Sequence, residues 1–578
     1  MGSTHGYSQG FPFRGTGTPN LFQSGRSIGI VLAMRNSNPS RRQFLQSGVR
    51  CGAGVMAVAG LSPARDASAA GVVRSAVKPF ELDEVTIGGL QESMKSGKFT
   101  ARSLVEAYLR HIEEIDQSGP GVNSVIEINP DARAVAKALD QGRKAKGTLG
   151  PMHGIPVLIK DNIATRDGMS TTAGSLALVG SVPPADSFVA ERLRAAGAVI
   201  LGKTNLSEWA NIRSSHSTSG WSARGGLTRN PYALDRNACG SSSGSGAAVA
   251  ANLCAVAVGT ETDGSIVCPS SANGIVGIKP TLGLVSRYGI VPIAHSQDTA
   301  GPMARTVTDA ALLLGILVGI DPRDGATAES RGKAVPDYTQ FLDSKGLRGA
   351  RIGVLRKLFG FHDGVDRLMN AALEEMKHQG AELIDPVIID SLGMFDDSEQ
   401  EVLLYELKAD LNAYLAALGP GAPVHSLQEI IDFNEHNRDK EMPFFGQDLF
   451  LKAEAKGPLT EKAYRDALEK NHRLTRSEGI DAVMEANHLD ALVAPTGGPA
   501  WLTDLVDGDH GLGGSSNLAA VAGYPNINVP AGSVFGLPVG ISFFGRAYSE
   551  PTLIKLAYAF EQATRLRQQP QFLPSIKA

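Results

Sequence analysis

The sequence predicts an α/β fold, a single large α/β/α domain with a central mixed β-sheet covered by helices. Three observations carry this. Apolar runs of strand length alternate with helical patterns from residue 150 to 385, an alternation that favours a sheet between helical layers. Strand patterns return at Ala491 to Val493, Asn526 to Val529 and Val539 to Phe544, so the chain comes back to its sheet. No internal repeat suggests a solenoid or an array.

Composition sets the frame. The 578 residues are 42% hydrophobic and 20% charged, with a net charge of -4, values of an ordinary globular protein with no electrostatic call for nucleic acid or an anionic membrane surface. No stretch after the leader is apolar for long enough to span a membrane.

The leader is read from Ser40-Arg41-Arg42-Gln43-Phe44-Leu45, the weakly apolar Gly48 to Leu61, and Ala67-Ser68-Ala69. Twin arginines, an apolar region and an A-x-A site match a twin-arginine export signal, so a periplasmic or secreted protein is expected. Met34 stands just ahead of the motif, so it is expected as the true start, with residues 1–33 as untranslated sequence upstream of it. The folded domain is expected to run from 71 to 578, with a helical N-terminal layer over 78–145 and a helical insertion over about 386–480.

In that layer Thr100 caps a helix whose Leu104, Val105, Tyr108, Leu109, Ile112 and Ile115 fall at helical spacing. Asn129-Pro130 reads as N-cap and first residue of a second helix through Leu139. Ile155 to Ile159 is a short strand ending in Lys160, Asp161 and Asn162. A lysine at a buried strand end either snorkels to water or, desolvated, loses its proton and serves as a base; the sequence leaves both open. Asp186 to Ala196 is an amphipathic helix, Gly197 its C′ residue, and Ala198 to Leu201 the next strand. Gly197 to Thr204 fits G-x-x-x-x-G-K-[ST], but its middle residues are the strand itself, so no phosphate loop is expected.

Cys239 to Ser271 holds two small-residue clusters, Gly240 to Gly246 and Thr260 to Ser265. Between them Ser245 to Leu253 favours helix and Ala255 to Val258 a buried strand. A nine-residue helix rises roughly 13 Å and a strand of about five residues returns roughly 17 Å, which brings Ser241 and Ser265 together. The glycine-rich backbone offers N–H groups to a developing oxyanion, and a serine nucleophile needs a base. Gly240 to Gly244 also fits the G-x-S-x-G elbow centred on Ser242, with His295, His425 and His510 as partners, although the polar Tyr232 to Ala238 is not the strand an elbow requires.

Farther on, Ala310 to Ile320 is a buried helix. Arg351 to Leu355 is a strand, Asp366 to His378 a helix and Glu382 to Ile384 a strand, and a last helix follows Ser549-Glu550-Pro551. Cys239, Cys254 and Cys268 read as small buried hydrophobes with room for one disulfide, not as a disulfide framework or a zinc site.

Together these segments resemble the amidase signature family: GIPVLIKDN at 154–162, GAVILGKTNLSEWA at 197–210, GSSSGSGAAVAA at 240–251, GTETDGSIVCPSSANGIVGIKPT at 259–281, DTAGPMARTVTDAA at 298–311, AGYPNINVPAG at 522–532 and GLPVGISFFG at 536–545. The resemblance implies the amidase signature fold, with Lys160 as catalytic lysine, Ser241 as bridging serine and Ser265 as nucleophile. It implies an oxyanion hole from the N–H groups of Thr262, Asp263, Gly264 and Ser265. Cys239, Ser243 and Asp263 depart from the family's usual glycines, and Asp263 brings a carboxylate close to the oxyanion.

The details SSSGSG, TETDGSIVCP, SQDTAGPMAR and PAWLTDLVDGDH resemble, within that family, bacterial peptide amidases, which convert the C-terminal carboxamide of peptides to acid and ammonia. The implied reaction passes through an acyl-enzyme and needs no cofactor and no metal. The pocket is expected between the helical insertion, the loop from Arg287 to Asp298 and the segment Trp501 to His510, with Asp263, Ser242, Trp501 and His510 as candidate substrate contacts. The partner is then a small-molecule or peptide amide. Other readings are an amidase of another small or aryl amide, a component of an amidotransferase, opposed by the export signal, and an esterase built on Ser242.

Overall fold

The computed structural model describes residues 78–576; the leader, including the twin-arginine motif and the A-x-A site, lies outside the described residues. Thirteen strands are numbered in chain order. β1 is Val125–Ile128, β2 Pro156–Lys160, β3 Val199–Thr204, β4 Trp221–Ser222, β5 Gly226–Leu227, β6 Val256–Glu261 and β7 Val276–Lys279. β8 is Thr299–Ala304, β9 Arg351–Val354, β10 Glu382–Ile384, β11 Ala491–Pro495, β12 Asn526–Val534 and β13 Leu537–Phe544.

Eleven of them form one sheet in the order β1-β3-β2-β6-β8-β7-β12-β13-β11-β9-β10, and β4 pairs with β5 apart from it. The sheet is mixed. β3, β2 and β6 run parallel, as do β11, β9 and β10, while the strands between are antiparallel. β2 and β6 are buried at every position, as parallel strands covered on both faces must be. The register Val157↔Val256, Leu158↔Ala257, Ile159↔Val258 brings their C-terminal ends to one edge. That edge is where open α/β sheets hold ligands.

Sequence cues set most of the boundaries. Thr100 caps Ala101–His111, its hydroxyl accepting from Ser103 N–H at 3.1 Å. The second helix is Ala132–Lys146, two residues later than expected. Asn129 is held to β3, donating from its main chain to Leu201 O and from Nδ2 to Ile200 O, while its Oδ1 accepts from Asp131 N–H at 2.9 Å. The buried helix is Val307–Leu317 rather than Ala310 to Ile320, because Thr306 caps it.

The residues after β10 fold into the helices Asp396–Ala417, Leu427–His436, Asp448–Glu454 and Lys462–His472. Leu403, Leu407, Leu411 and Ile430 pack with Trp209, Ile212, Val291 and Ile293 in a second core. This apolar contact seats the helices beside that part of the chain. Among the described residues no helix is long and apolar enough to cross a membrane.

Candidate active site

Lys160 ends β2 with its whole side chain buried, 0% exposed. Its Nζ lies 2.7 Å from Ser241 Oγ, 2.8 Å from Thr260 Oγ1 and 3.3 Å from Thr260 O. No carboxylate forms an ion pair with it among the described residues. Burial pulls its ammonium down to about 7, against the opposing charges of Asp298 and Glu261. Of the two readings of this lysine, the structure takes the desolvated one. Asn162 also donates to Thr260 Oγ1, at 3.0 Å. Thr260 and Asn162 are the holders that sequence reasoning missed, although both lie inside the segments that carry the family resemblance.

Ser241 sits just ahead of the helix Ser243–Ala250, after a cis Gly240–Ser241 peptide. Its carbonyl accepts from Ser207 N–H at 3.1 Å, and the next residue's N–H donates to Ser265 O at 3.2 Å. The two serine segments therefore meet, as the helix-and-strand lengths require. A Cβ on Gly240 would collide with Ser207 Oγ, so this close approach needs a residue without a side chain.

The turn from Thr262 to Ser265 follows β6 and leads into the helix Val267–Ala272. Glu261 orders it, its Oε2 accepting from Ile266 N–H at 2.6 Å and Val267 N–H at 3.0 Å. Gly264 takes φ +75°, a left-handed conformation, and a Cβ there would lie 3.0 Å from Ser516 Oγ. Thr262 donates to Asp298 Oδ1 at 2.5 Å, and the other oxygen of Asp298 accepts from Ile293 and Ala294 N–H. Burial pushes the Asp298 carboxyl up to about 6. Asp298 thus ties the predicted oxyanion loop to the loop that begins at Arg287.

The one disulfide for which the cysteines left room joins Cys239 and Cys268, with Cα atoms 6.0 Å apart, and Cys254 is free and buried. The bond joins the residue two before Ser241 to the residue three after Ser265.

Ser242 does not behave as a substrate contact. It is fully buried, and its Oγ donates to Thr260 O at 3.0 Å and accepts from Thr260 N–H at 3.2 Å. Those two bonds pin the helix start to β6. The histidines proposed for it lie elsewhere: His295 with Asp410 and Glu406, His425 with Glu429, and His510 against Gly508 O. His510 is exposed. Trp501 lines a small cavity with Cys268, Ser271, Thr496 and Ser516, and its Nε1 donates to Asp509 at 3.3 Å. Asp509 also accepts from Ser219 N–H and Oγ and from Asn237 Nδ2, which ties the 501–510 segment to the chain leading into Ser241.

The phosphate-loop pattern is structural, as expected. Lys203 lies within β3 and donates to Ile163 O and Thr171 Oγ1.

Comparison with known proteins bears out the family resemblance. Residues 103–554 match the Amidase family. The native peptide amidase of Stenotrophomonas maltophilia is 50% identical in sequence, superimposes with a TM-score of 0.82, and is matched over 86% of this chain and 100% of its own. A probable amidase of Arabidopsis thaliana is 45% identical over 504 residues, 86% of this chain and 93% of the relative. A glutamyl-tRNA(Gln) amidotransferase component from Thermoanaerobacter pseudethanolicus is 33% identical over 507 residues, 85% and 99% of the two chains.

Proposed function

We propose that this chain, which belongs to the amidase family and is an amide hydrolase, acts on the C-terminal carboxamide of peptides and releases the free acid and ammonia. The observation that carries the chemistry is Lys160 Nζ at 2.7 Å from Ser241 Oγ, in a fully buried site that pulls its ammonium down to about 7. A neutral amine at that distance is a general base within reach of its proton.

In this reading neutral Lys160 takes the proton of Ser241 while Ser241 takes that of Ser265, and Ser265 Oγ attacks the amide carbonyl. The N–H groups from Thr262 to Ser265 receive the oxyanion, in the preorganised manner that gives such donors their effect. Ser241 returns a proton to the leaving nitrogen, ammonia departs, and water repeats the attack on the acyl-enzyme. Ser265 is the nucleophile, Ser241 the proton relay and Lys160 the base.

The choice of peptide amides rests on the likeness to the Stenotrophomonas enzyme over almost the whole domain. An ammonia-donating amidotransferase role is the competing reading, supported by the bacterial amidotransferase relatives. The leader motif opposes it, and the Cys239–Cys268 disulfide suits an oxidising compartment rather than the cytoplasm. Export by the twin-arginine route belongs to the same proposal. N-terminal sequencing of the protein recovered from a periplasmic fraction tests it, and an uncleaved start at Met1 or Met34 in the cytoplasm would sink it.

The activity test is ammonia release from an amidated dipeptide beside its N-methylamide and methyl ester, with wild type, Ser265→Ala and Lys160→Ala. Release from the primary carboxamide by wild type alone is the expected result. Silence toward peptide amides together with turnover of simple aryl or aliphatic amides would overturn the substrate assignment and leave the hydrolase.

A further inference from the structure

We propose that the buried acidic cluster beside the oxyanion loop is a subsite for a primary ammonium group, so that the preferred substrates are short amidated peptides with a free amino terminus. This rests on the peptide amidase reading above. Four stretches of chain converge there: the turn at Thr262 and Asp263, the loop at Gln297, the helix Asp396–Ala417 at Glu399, and the start of the helix Ser516–Ala522. Gln297 Nε2 donates to Glu399 Oε1 at 3.0 Å and to Thr262 O at 3.4 Å. Asn517 Nδ2 spans the two carboxyl groups, donating to Glu399 Oε2 and, at 3.3 Å, to Asp263 Oδ2.

The cluster is short of donors. Asp263, Gln297 and Glu399 are 4%, 1% and 3% exposed, yet among the described residues Asp263 Oδ1 and Gln297 Oε1 have no hydrogen-bond donor. The Gln297 amide cannot be turned to cure this, because its nitrogen already faces two acceptors. Neither Asp263 nor Glu399 forms an ion pair among the described residues. Lys279, which feels the charge of Asp263, commits its Nζ to Tyr524 O at 2.6 Å and Ala519 O at 3.5 Å.

Buried acceptors without donors are costly, and buried carboxyls without a cation more so. A primary ammonium supplies both missing items, one positive charge and three N–H donors on a single atom. A metal ion fits less well, since three of the four carboxylate oxygens already accept from side-chain amides. Burial, reinforced by the charge of Asp263, pushes the Glu399 carboxyl up to about 8, a cost that a cation placed there relieves.

Position gives the length of the substrate. Asp263 is two residues before Ser265, whose hydroxyl meets the scissile carbonyl, and an extended peptide covers roughly 3.4 Å per residue. The proposed subsite, so near the nucleophile in the chain, is assigned the amino terminus of a dipeptide amide, whereas that of a tetrapeptide amide, about two residues or roughly 7 Å longer, would extend past it.

The test measures kcat/KM for a dipeptide amide and a tetrapeptide amide, each with a free and an N-acetylated terminus, on wild type and Glu399→Gln. Wild type should favour the free dipeptide amide over its acetylated form by about tenfold or more and show no such preference for the tetrapeptide pair. In Glu399→Gln the dipeptide preference should collapse toward unity. The ratio within one protein cancels any general loss of activity, and the wild-type comparison decides even if the variant does not fold. Equal rates on the two dipeptide amides in wild type, or a preference that survives Glu399→Gln, would overturn the subsite while leaving the peptide amidase reading intact. Failure of wild type on all four peptides would sink that reading, and the subsite with it.

Discussion

Replacing Lys160 with methionine separates the chemistry of this side chain from its electrostatics. In the folded protein its ammonium is pulled down to about 7 from 10.5, so between those values the unfolded chain binds a proton that the folded chain does not. Stability of wild type must therefore rise with pH across that window, by up to about 1.4 kcal/mol per pH unit. Methionine carries no proton, so Lys160→Met lacks that slope whatever its absolute stability. The difference in unfolding free energy between the two proteins should move in favour of wild type by about 1 kcal/mol between pH 7.5 and 8.5, read from denaturant titrations at each pH. Activity gives an independent reading. A base titrating near 7 raises wild-type kcat/KM by about tenfold from pH 6 to 8 and then levels, whereas an unshifted amine would give about a hundredfold rise and still be climbing. Parallel stability profiles, or a kcat/KM that climbs through pH 9, would refute the neutral-base argument.

Three further outcomes follow from the same structure. Ser242→Ala removes two bonds to the Thr260 main chain and should cost about 1–3 kcal/mol of stability while leaving measurable amidase activity; complete loss with an intact fold would revive the serine elbow. Reducing Cys239–Cys268, which closes a loop with a sequence separation of 29, should lower stability by about 3–4 kcal/mol on a loop-entropy estimate; an unchanged denaturation midpoint after dithiothreitol, with both thiols titratable, would contradict it. Arg213 is fully buried, 3.3 Å from Glu208 and donating to Glu441 O, with its guanidinium 4.4 Å from the Phe445 ring centroid. Arg213→Leu leaves two buried glutamates without their cation and should cost about 3–5 kcal/mol, measurable by thermal unfolding; a neutral result would mean that the two carboxyl groups fold protonated.

What the sequence made legible was what local chemistry decides. Thr100 marks a helix start by its hydroxyl and Gly197 a helix end by its backbone freedom, and β2 and β6 announce themselves as continuous apolar runs. The meeting of the two serines was legible from the helix and strand lengths between them, whereas the role of Lys160 was left open by its strand end and came from the family resemblance. The holders of those groups were not. Thr260, Asp298, Glu399 and Asn517 reach the site from as far as 254 residues away along the chain, and no periodicity records such pairings. Asn129 misled for the same reason: it has the residue type of a helix cap, but its amide is claimed by β3. The fate of Ser242 could be read only from the strand it faces. For Cys239 and Cys268, spacing alone could not show that two turns of chain on either side of the serines converge.

The helical segment after β10 bears on how this protein can change. Glu399, Glu406 and Asp410 lie on one face of Asp396–Ala417, and they contact Gln297, Ser296 and His295 in a single short run of loop. The base, the relay serine and the turn of the nucleophile belong instead to the ends of β2 and β6 and the helix between them. On the subsite proposed above, reaction and selection are written in different parts of the chain, joined across a few side chains. A combinatorial library limited to 295–297, 399–410 and 517 would explore new amides while leaving Asp298 and the turn it holds in place, which makes this seam the place to begin redirecting the enzyme.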